Sequence, residues 1–193
     1  GLMPPLRLAF RDIQEASQRI GAHVHRTPVL TSSYLDNETG GRLYFKCENL
    51  QKTGSFKARG AHNAVFMLEP GIAARGVVTH SSGNHAAALA LAARRRGIRA
   101  LVVMPSNASE IKNAAGAGYG ATIVACAPTL ASRESTTAAL VAETGAQLIH
   151  PFEDYGVMAG QGTAALELLE SQPDLDSVLV PVGGGGLLAG TAI

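Results

Sequence analysis

From residue 76 onward the chain repeats one rhythm: a short apolar run, a turn, then a longer run with helical spacing. The apolar runs are Gly76–His80, Arg99–Met104, Thr122–Cys126, Gln147–His150 and Val178–Val182. Between them lie helical stretches over about 85–96, Ile111–Gly118, Ser132–Thr144 and 157–171. Strands that are apolar on both sides and separated by helices belong in parallel sheets covered on both faces. The fold class read from this rhythm is α/β: two open, twisted, mostly parallel sheets flanked by helices. Residues 77–149, with four strands and three helices, are read as a small domain. It is inserted in a larger one made of residues 1–76 and 150–193. Upstream, residues 8–20 carry Phe10, Ile13, Ala16, Ser17 and Ile20 at helical spacing, and Leu43–Glu48 reads as a strand. His25-Arg26-Thr27-Pro28-Val29-Leu30 is extended by its proline. The chain stops about two turns into an apolar helix, with Leu187, Leu188, Ala192 and Ile193 uncovered. It therefore reads as the front portion of a longer protein with an incomplete large domain, or as a short form that buries this end against a partner.

Composition narrows the function. Of 193 residues 46% are apolar and 16% charged, and the net charge is +1, so nothing favours nucleic acid or an anionic membrane. No apolar run reaches the ~18 residues of a membrane span, and Gly1–Pro5 shows no secretory pattern. Cys47 and Cys126, far apart in apolar runs, suit free thiols in a reducing compartment. A cytoplasmic protein is expected.

Three motifs carry chemistry. Gly183, Gly184, Gly185 and Gly186 follow a strand and precede a helix. Such a loop can turn backbone N–H groups onto a phosphate, and the helix behind adds partial positive charge. No Gly-Lys-Ser/Thr follows, so it is not a nucleoside-triphosphate P-loop, and an ATP-binding, kinase-like protein is disfavoured. Ser81-Ser82-Gly83-Asn84-His85 sits at the carboxyl end of a strand, where open α/β sheets bind ligands, and its donors suit a carboxylate. Lys57 stands just inside a helix start, with Ser55 as N-cap, where the dipole favours anions. A phosphate cradle, a carboxylate loop and a lysine together suit pyridoxal phosphate, which attaches to a lysine as a Schiff base. Lys52 and Lys57 are the lysines in a ligand-facing stretch, whereas Lys46 falls on a strand and Lys112 on a helix. His80, His85 and His150 have no metal-ligand spacing. Arg94-Arg95-Arg96 complements a helix C-terminus, and Glu170, Asp174 and Asp176 read as surface charge.

The stretches Ser55–Ala61, Thr79–His85 and Gly183–Leu187 resemble the serine racemase and serine/threonine dehydratase family, pyridoxal-phosphate enzymes of the tryptophan-synthase-β fold type. His25–Leu30 and Ala159-Gly160-Gln161-Gly162-Thr163 match it too, and the resemblance runs from about residue 8 to the last residue. Thr79–Ser82 and the tetraglycine lean towards the racemase branch. The resemblance implies that Lys57 holds the cofactor and moves the α-proton on one face. Ser82 would serve as acid/base on the other, since racemisation needs a base on each side. β-Elimination of serine to pyruvate and ammonia would accompany it. Asn84 would bond the cofactor's phenolic oxygen, Phe56 would pack on its ring, and Gly183 to Gly186 with Leu187 would hold its phosphate. Ser81, Ser82, Asn84 and His85 would receive the substrate carboxylate.

The family further implies ATP positions at Ser32, Ser33, Tyr34, Lys52, Thr53 and Tyr119, with Mg2+ or Ca2+ as co-activator. The metal ligands would follow Ile193, so none is expected within this chain. Two positions depart from the animal racemases, which have Gln where Ala87 stands and Asn where Phe152 stands; dehydratases often carry an aromatic at the latter. The implied partners are serine or threonine as substrate and a second copy of the chain as homodimer. Dehydratase without racemase activity, and an inactive short form that only binds a ligand or partner, stand as alternatives.

Overall fold

Val77 and Val78 have no exposed face, and the structure shows why. The computed structural model describes residues 8–81, 83–107 and 118–193. In it β3 (Val77–His80) lies inside a four-stranded parallel sheet of order β5–β4–β3–β6. Its neighbours are β4 (Ala100–Pro105), with Val77 opposite Ala100, and β6 (Gln147–Leu148), with Val78 opposite Leu148. The outer strand β5 (Thr122–Cys126) pairs Val102 with Ile123. The chain thus builds outward through β4 and β5, then returns to the other side of β3. That reversal is a topological switch point, and the crevice at the strands' carboxyl ends there is where such sheets hold ligands.

Helices α1 (Phe10–Ile20), α3 (Lys57–Phe66), α5 (Asn84–Arg96), α6 (Leu130–Thr144) and α7 (Tyr155–Ser171) flank this sheet or pack beside it; α2 (Ser33–Thr39), α4 (Pro70–Ala73) and α8 (Gly186–Thr191) are short. Two start earlier than the apolar spacing predicts because a side chain caps them. Thr129 Oγ1 accepts from Ser132 N, and Asp154 Oδ1 accepts from Val157 N at 2.9 Å. One buried cluster joins Ala61, Ala64 and Val65 of α3 to Leu89 of α5, Val77, Ala100, Ile149 and Val157. The 77–149 unit therefore shares its core with the segments on both sides.

Two expectations need correction. Val178–Val182 forms no ladder: it belongs to neither described sheet, and Leu179 is 89% exposed. Leu43–Glu48 shortens to β2 (Phe45–Lys46), which pairs antiparallel with β1 (Val29–Leu30). Among the described residues this ribbon is the only sheet besides the parallel one. The helix expected from Ile111, and Lys112 within it, lie outside the described residues apart from Gly118.

Helices α3 and α7 meet at backbone distance, because a Cβ on Gly160 would lie 2.5 Å from Arg59 O. At this seam Arg59 is fully buried. Its guanidinium donates to Glu48 Oε2 at 2.9 Å, to Glu167 Oε1 and Oε2 at 2.9 and 2.8 Å, and to Thr163 Oγ1 at 3.1 Å. Lys46 Nζ lies 2.7 Å from Glu167 Oε2. Two cations thus face two anions where water is excluded. Burial opposes charge on Glu167, but the hydrogen bonds from Arg59 and Lys46 outweigh it and hold its carboxyl below the usual range.

A carboxyl depressed in the folded state stabilises fully above its unfolded value of about 4.3, and that contribution fades as pH falls through the lower folded value. Glu167→Gln is expected to cost about 3–5 kcal/mol near neutral pH, by leaving Arg59 short of a counter-charge. It is also expected to flatten the acid limb of the urea stability curve below about pH 4.3. An unchanged acid limb would contradict this ion pairing.

Candidate active site

The site begins at the turn that delivers Lys57. Thr53 adopts φ +59, a left-handed conformation that costs a non-glycine residue about 1–3 kcal/mol. Ser55 then runs extended, and its Oγ accepts from Lys57 N at 3.3 Å. Ala58 N and Arg59 N bond to Ser55 O and Phe56 O, and Gly60 N donates to Gln161 Oε1 at 3.0 Å. The first four N–H groups of α3 are therefore all satisfied by protein, leaving none for an anion. A cation can sit here at reduced electrostatic cost. Lys57 Nζ donates to Pro151 O at 2.9 Å and lies 5.3 Å from the Phe56 ring centre. Burial lowers its pKa from the ordinary lysine value, so the neutral amine is easier to reach.

Pro151 follows β6, on the β3 side of the switch point. There Ile149 O accepts from Thr79 Oγ1 at 2.7 Å and from His85 Nε2 at 3.3 Å, tying β3 and α5 to β6. His85 is buried, which drives its pKa down to about 3, with Lys57 acting in the same direction. The neutral ring must carry its proton on Nε2, since Ile149 O can only accept. Nδ1 then offers a lone pair, and it has no partner among the described residues. A carboxylate could be met here by the backbone N–H of His85 and not by its ring. Ser81 Oγ accepts from Gly83 N at 3.3 Å, and Asn84 opens α5 in an exposed position. Ser82 lies outside the described residues.

The tetraglycine stands against the same segment. A Cβ on Gly184 would come 2.2 Å from the Phe152 ring, and one on Gly186 3.2 Å from Phe152 Cβ. Gly185 turns the chain with φ +91, and α8 starts at the next residue. Among the described residues no protein acceptor takes the N–H groups of Gly183 to Leu187. Free N–H groups at a helix start, on glycines that carry no side chain of their own, fit a phosphate. One end of this site is thus internally satisfied and cationic, and the other is open and anion-seeking. Pro151 and Phe152 join them.

The His80 and His150 rings meet edge-on at 5.1 Å, and His150 Nδ1 accepts from Glu153 N at 2.9 Å, which removes that nitrogen as a ligand. Among the described residues no group of three or more His, Cys, Asp or Glu could hold a metal. Lys46 is committed to Glu167 and to Thr27 O. The residues expected to meet a nucleotide fall on three separate pieces. Ser32 caps α2, with Ser33 and Tyr34 on it; Lys52 and Thr53 lie in the turn before α3; Tyr119 follows residues 108–117 and lines a cavity of about 390 Å³ with Arg94 and Ile98. Sequence reasoning missed Pro151 O, Ile149 O and Gln161. The carbonyls carry no residue-type signal, and Gln161 was legible only as part of a motif.

Comparison with known proteins finds relatives over nearly the whole chain. The profile of the family described as "Pyridoxal-phosphate dependent enzyme" matches residues 20–193. Serine racemase of Dictyostelium discoideum is 52% identical over 98% of this chain and 59% of its own length. Beta-hydroxyaspartate dehydratase of Paracoccus denitrificans is 50% identical over 95% of this chain and 58% of its own. The structure of maize serine racemase superposes with a TM-score of 0.95 at 48% identity, covering 97% of this chain and 57% of that one. The chain thus spans somewhat under three-fifths of the length of these relatives.

Gly184→Ala should drive a methyl group into the Phe152 ring, an overpacking worth about 1–3 kcal/mol, and narrow the cradle. In the full-length protein this variant is expected to bind pyridoxal phosphate at least tenfold more weakly in an absorbance titration. Wild-type affinity would show that the phosphate lies elsewhere.

Proposed function

The chain belongs to the family of pyridoxal-phosphate dependent enzymes, and on that premise we propose that the full protein interconverts L- and D-serine and also eliminates serine to pyruvate and ammonia. One observation carries the reading: a half-buried lysine amine held on Pro151 O, beside a tetraglycine whose N–H groups have no acceptor among the described residues. The similarity to serine racemases at about half identity supports the same substrate class.

When bound, the cofactor supplies an electrophilic carbonyl and an electron sink that acidifies the substrate Cα–H. The protein does the rest. Gly183 to Gly186 and Leu187 hold the phosphate through their N–H groups, and the start of α8 adds its partial charge. Phe56 packs against the ring and Asn84 donates to the phenolic oxygen. Ser81, Asn84 and the backbone N–H of His85 receive the carboxylate at the start of α5. Lys57, whose proton burial makes easier to lose, takes the α-proton on one face. Ser82 returns or removes it on the other. A neutral His85 at the floor avoids placing a second cation beside Lys57.

A second reading, serine/threonine dehydratase without racemisation, draws on Phe152, whose ring covers Gly184 and Gly186, at a position where the animal racemases carry Asn and dehydratases often carry an aromatic. The wider reading includes a small domain at 77–149, a homodimer, a cytoplasmic setting, and activation by ATP with Mg2+ or Ca2+ through Ser32, Ser33, Tyr34, Lys52, Thr53 and Tyr119. Exposed Leu30, Tyr34 and Phe45 around the β1–β2 ribbon support a subunit contact there.

The test is turnover of L-serine, D-serine, L-threonine and 3-hydroxyaspartate by the full-length protein, with and without magnesium-ATP. Lys57→Ala is expected to abolish racemisation and elimination together. Ser82→Ala is expected to cut racemisation about 10²-fold or more while L-serine elimination survives. Equal loss of both activities in Ser82→Ala would overturn the two-base assignment. Elimination by the wild type without racemisation would favour the second reading.

A further inference from the structure

We propose that Arg59 is a positioning residue: its guanidinium, clamped between Glu48 and Glu167, sets the rotation of α3 and thereby the aim of Lys57. The proposal rests on Lys57 being the cofactor-bearing amine. Residues two apart on a helix point about 200° apart. Lys57 therefore faces the crevice while Arg59 faces the opposite way, into the core, and turning one turns the other.

The clamp admits one orientation. All five N–H groups of the guanidinium find acceptors: two carboxylates from separate elements, Thr163 Oγ1, and a longer contact to His25 O at 3.4 Å. A planar fork held on two sides cannot roll without losing bonds. Its partners are fixed in turn. Thr27 Oγ1 donates to Glu48 Oε2 at 2.6 Å, and Thr163 Oγ1 donates to Gly160 O at 2.6 Å. The loop ahead of Lys57 is pinned to the same His25: its N donates to Gln51 Oε1 at 2.8 Å, and Gln51 Nε2 donates back to His25 O at 2.7 Å. Lys57 lies between these two pins.

Stability alone does not explain such a cluster. Apolar residues of the same volume commonly hold a core as well as buried ions do. Apolar packing, however, tolerates small rotations, and a two-sided fork does not. The amine lies about 8 Å from the helix axis, so a 10° roll moves it by more than about 1 Å. A misplacement of that size can cost on the order of 10²-fold in rate. The mutual neutralisation of Arg59 and Lys46 by Glu48 and Glu167 also keeps their charges from acting on Lys57.

The test uses full-length apoprotein and follows attachment of pyridoxal phosphate to Lys57 by stopped-flow absorbance, with borohydride fixation and peptide mapping. Arg59→Lys keeps the charge and loses the fork. Thr163→Val removes one acceptor in a side chain of the same shape, and serves if Arg59→Lys does not fold. Val103→Ala, a cavity in the sheet core, is the comparator for lost stability alone. Arg59→Lys is expected to slow attachment at least tenfold and to shift the absorbance maximum of the bound cofactor. Thr163→Val should slow it about threefold, and Val103→Ala should stay within twofold despite a comparable fall in melting temperature. The proposal fails if Arg59→Lys, or Thr163→Val in its place, attaches at the wild-type rate, or if Val103→Ala slows attachment equally. Label absent from Lys57 in the wild type would instead sink the proposed function, and the positioning role with it.

Discussion

A full positive charge at Arg59, in a place water does not reach, makes the rest of the arrangement obligatory. Its two carboxylate partners come from the 3-10 turn after β2 and from α7, so these elements cannot separate from α3 without stranding a buried ion. Helices α3 and α7 can approach closely enough only because Gly60 and Gly160 have no side chains. Gln161 completes the seam by taking the N–H of Gly60. The start of α3 is thereby fixed in rotation and in depth, and Lys57 stands at that start.

The two helix ends at the crevice divide the work. At α3 every N–H is spent within the protein, so the helix dipole has no open donors and a lysine is tolerated. At α8 no acceptor among the described residues takes the N–H groups of Gly183 to Leu187, and the glycines carry no side chain, so a phosphate is favoured. A cofactor with a phosphate at one end and an electrophile at the other would span this asymmetry. The link between them is the short segment after β6. Its carbonyls hold Lys57, Thr79 and His85, and its Phe152 ring lies on the glycines.

Much of this was legible in the chain. The alternation of apolar runs with helical spacing marks four parallel strands, because strands buried on both faces leave an unbroken apolar signal. The glycine run and Lys57 stood out as residues whose conformation or charge is odd for their place. What escaped is non-local. Nothing in Gln147–His150 says that it pairs with β3 and not with β5, although that choice creates the crevice. Val178–Val182 has the composition of a strand, yet no described partner stands beside it. Arg59 reads as an ordinary charged helix residue until Glu48 and Glu167 are brought to it from 11 and 108 residues away.

Burial and the α3 clamp together present Lys57 as the amine that would take the cofactor. The most direct measurement is the identity of the modified lysine in the full-length protein, purified with pyridoxal phosphate, reduced with borohydride and mapped by mass spectrometry. Stoichiometric label is expected on Lys57, with Lys46, Lys52 and Lys112 unmodified. Label on Lys52, or label spread over several lysines, would contradict it.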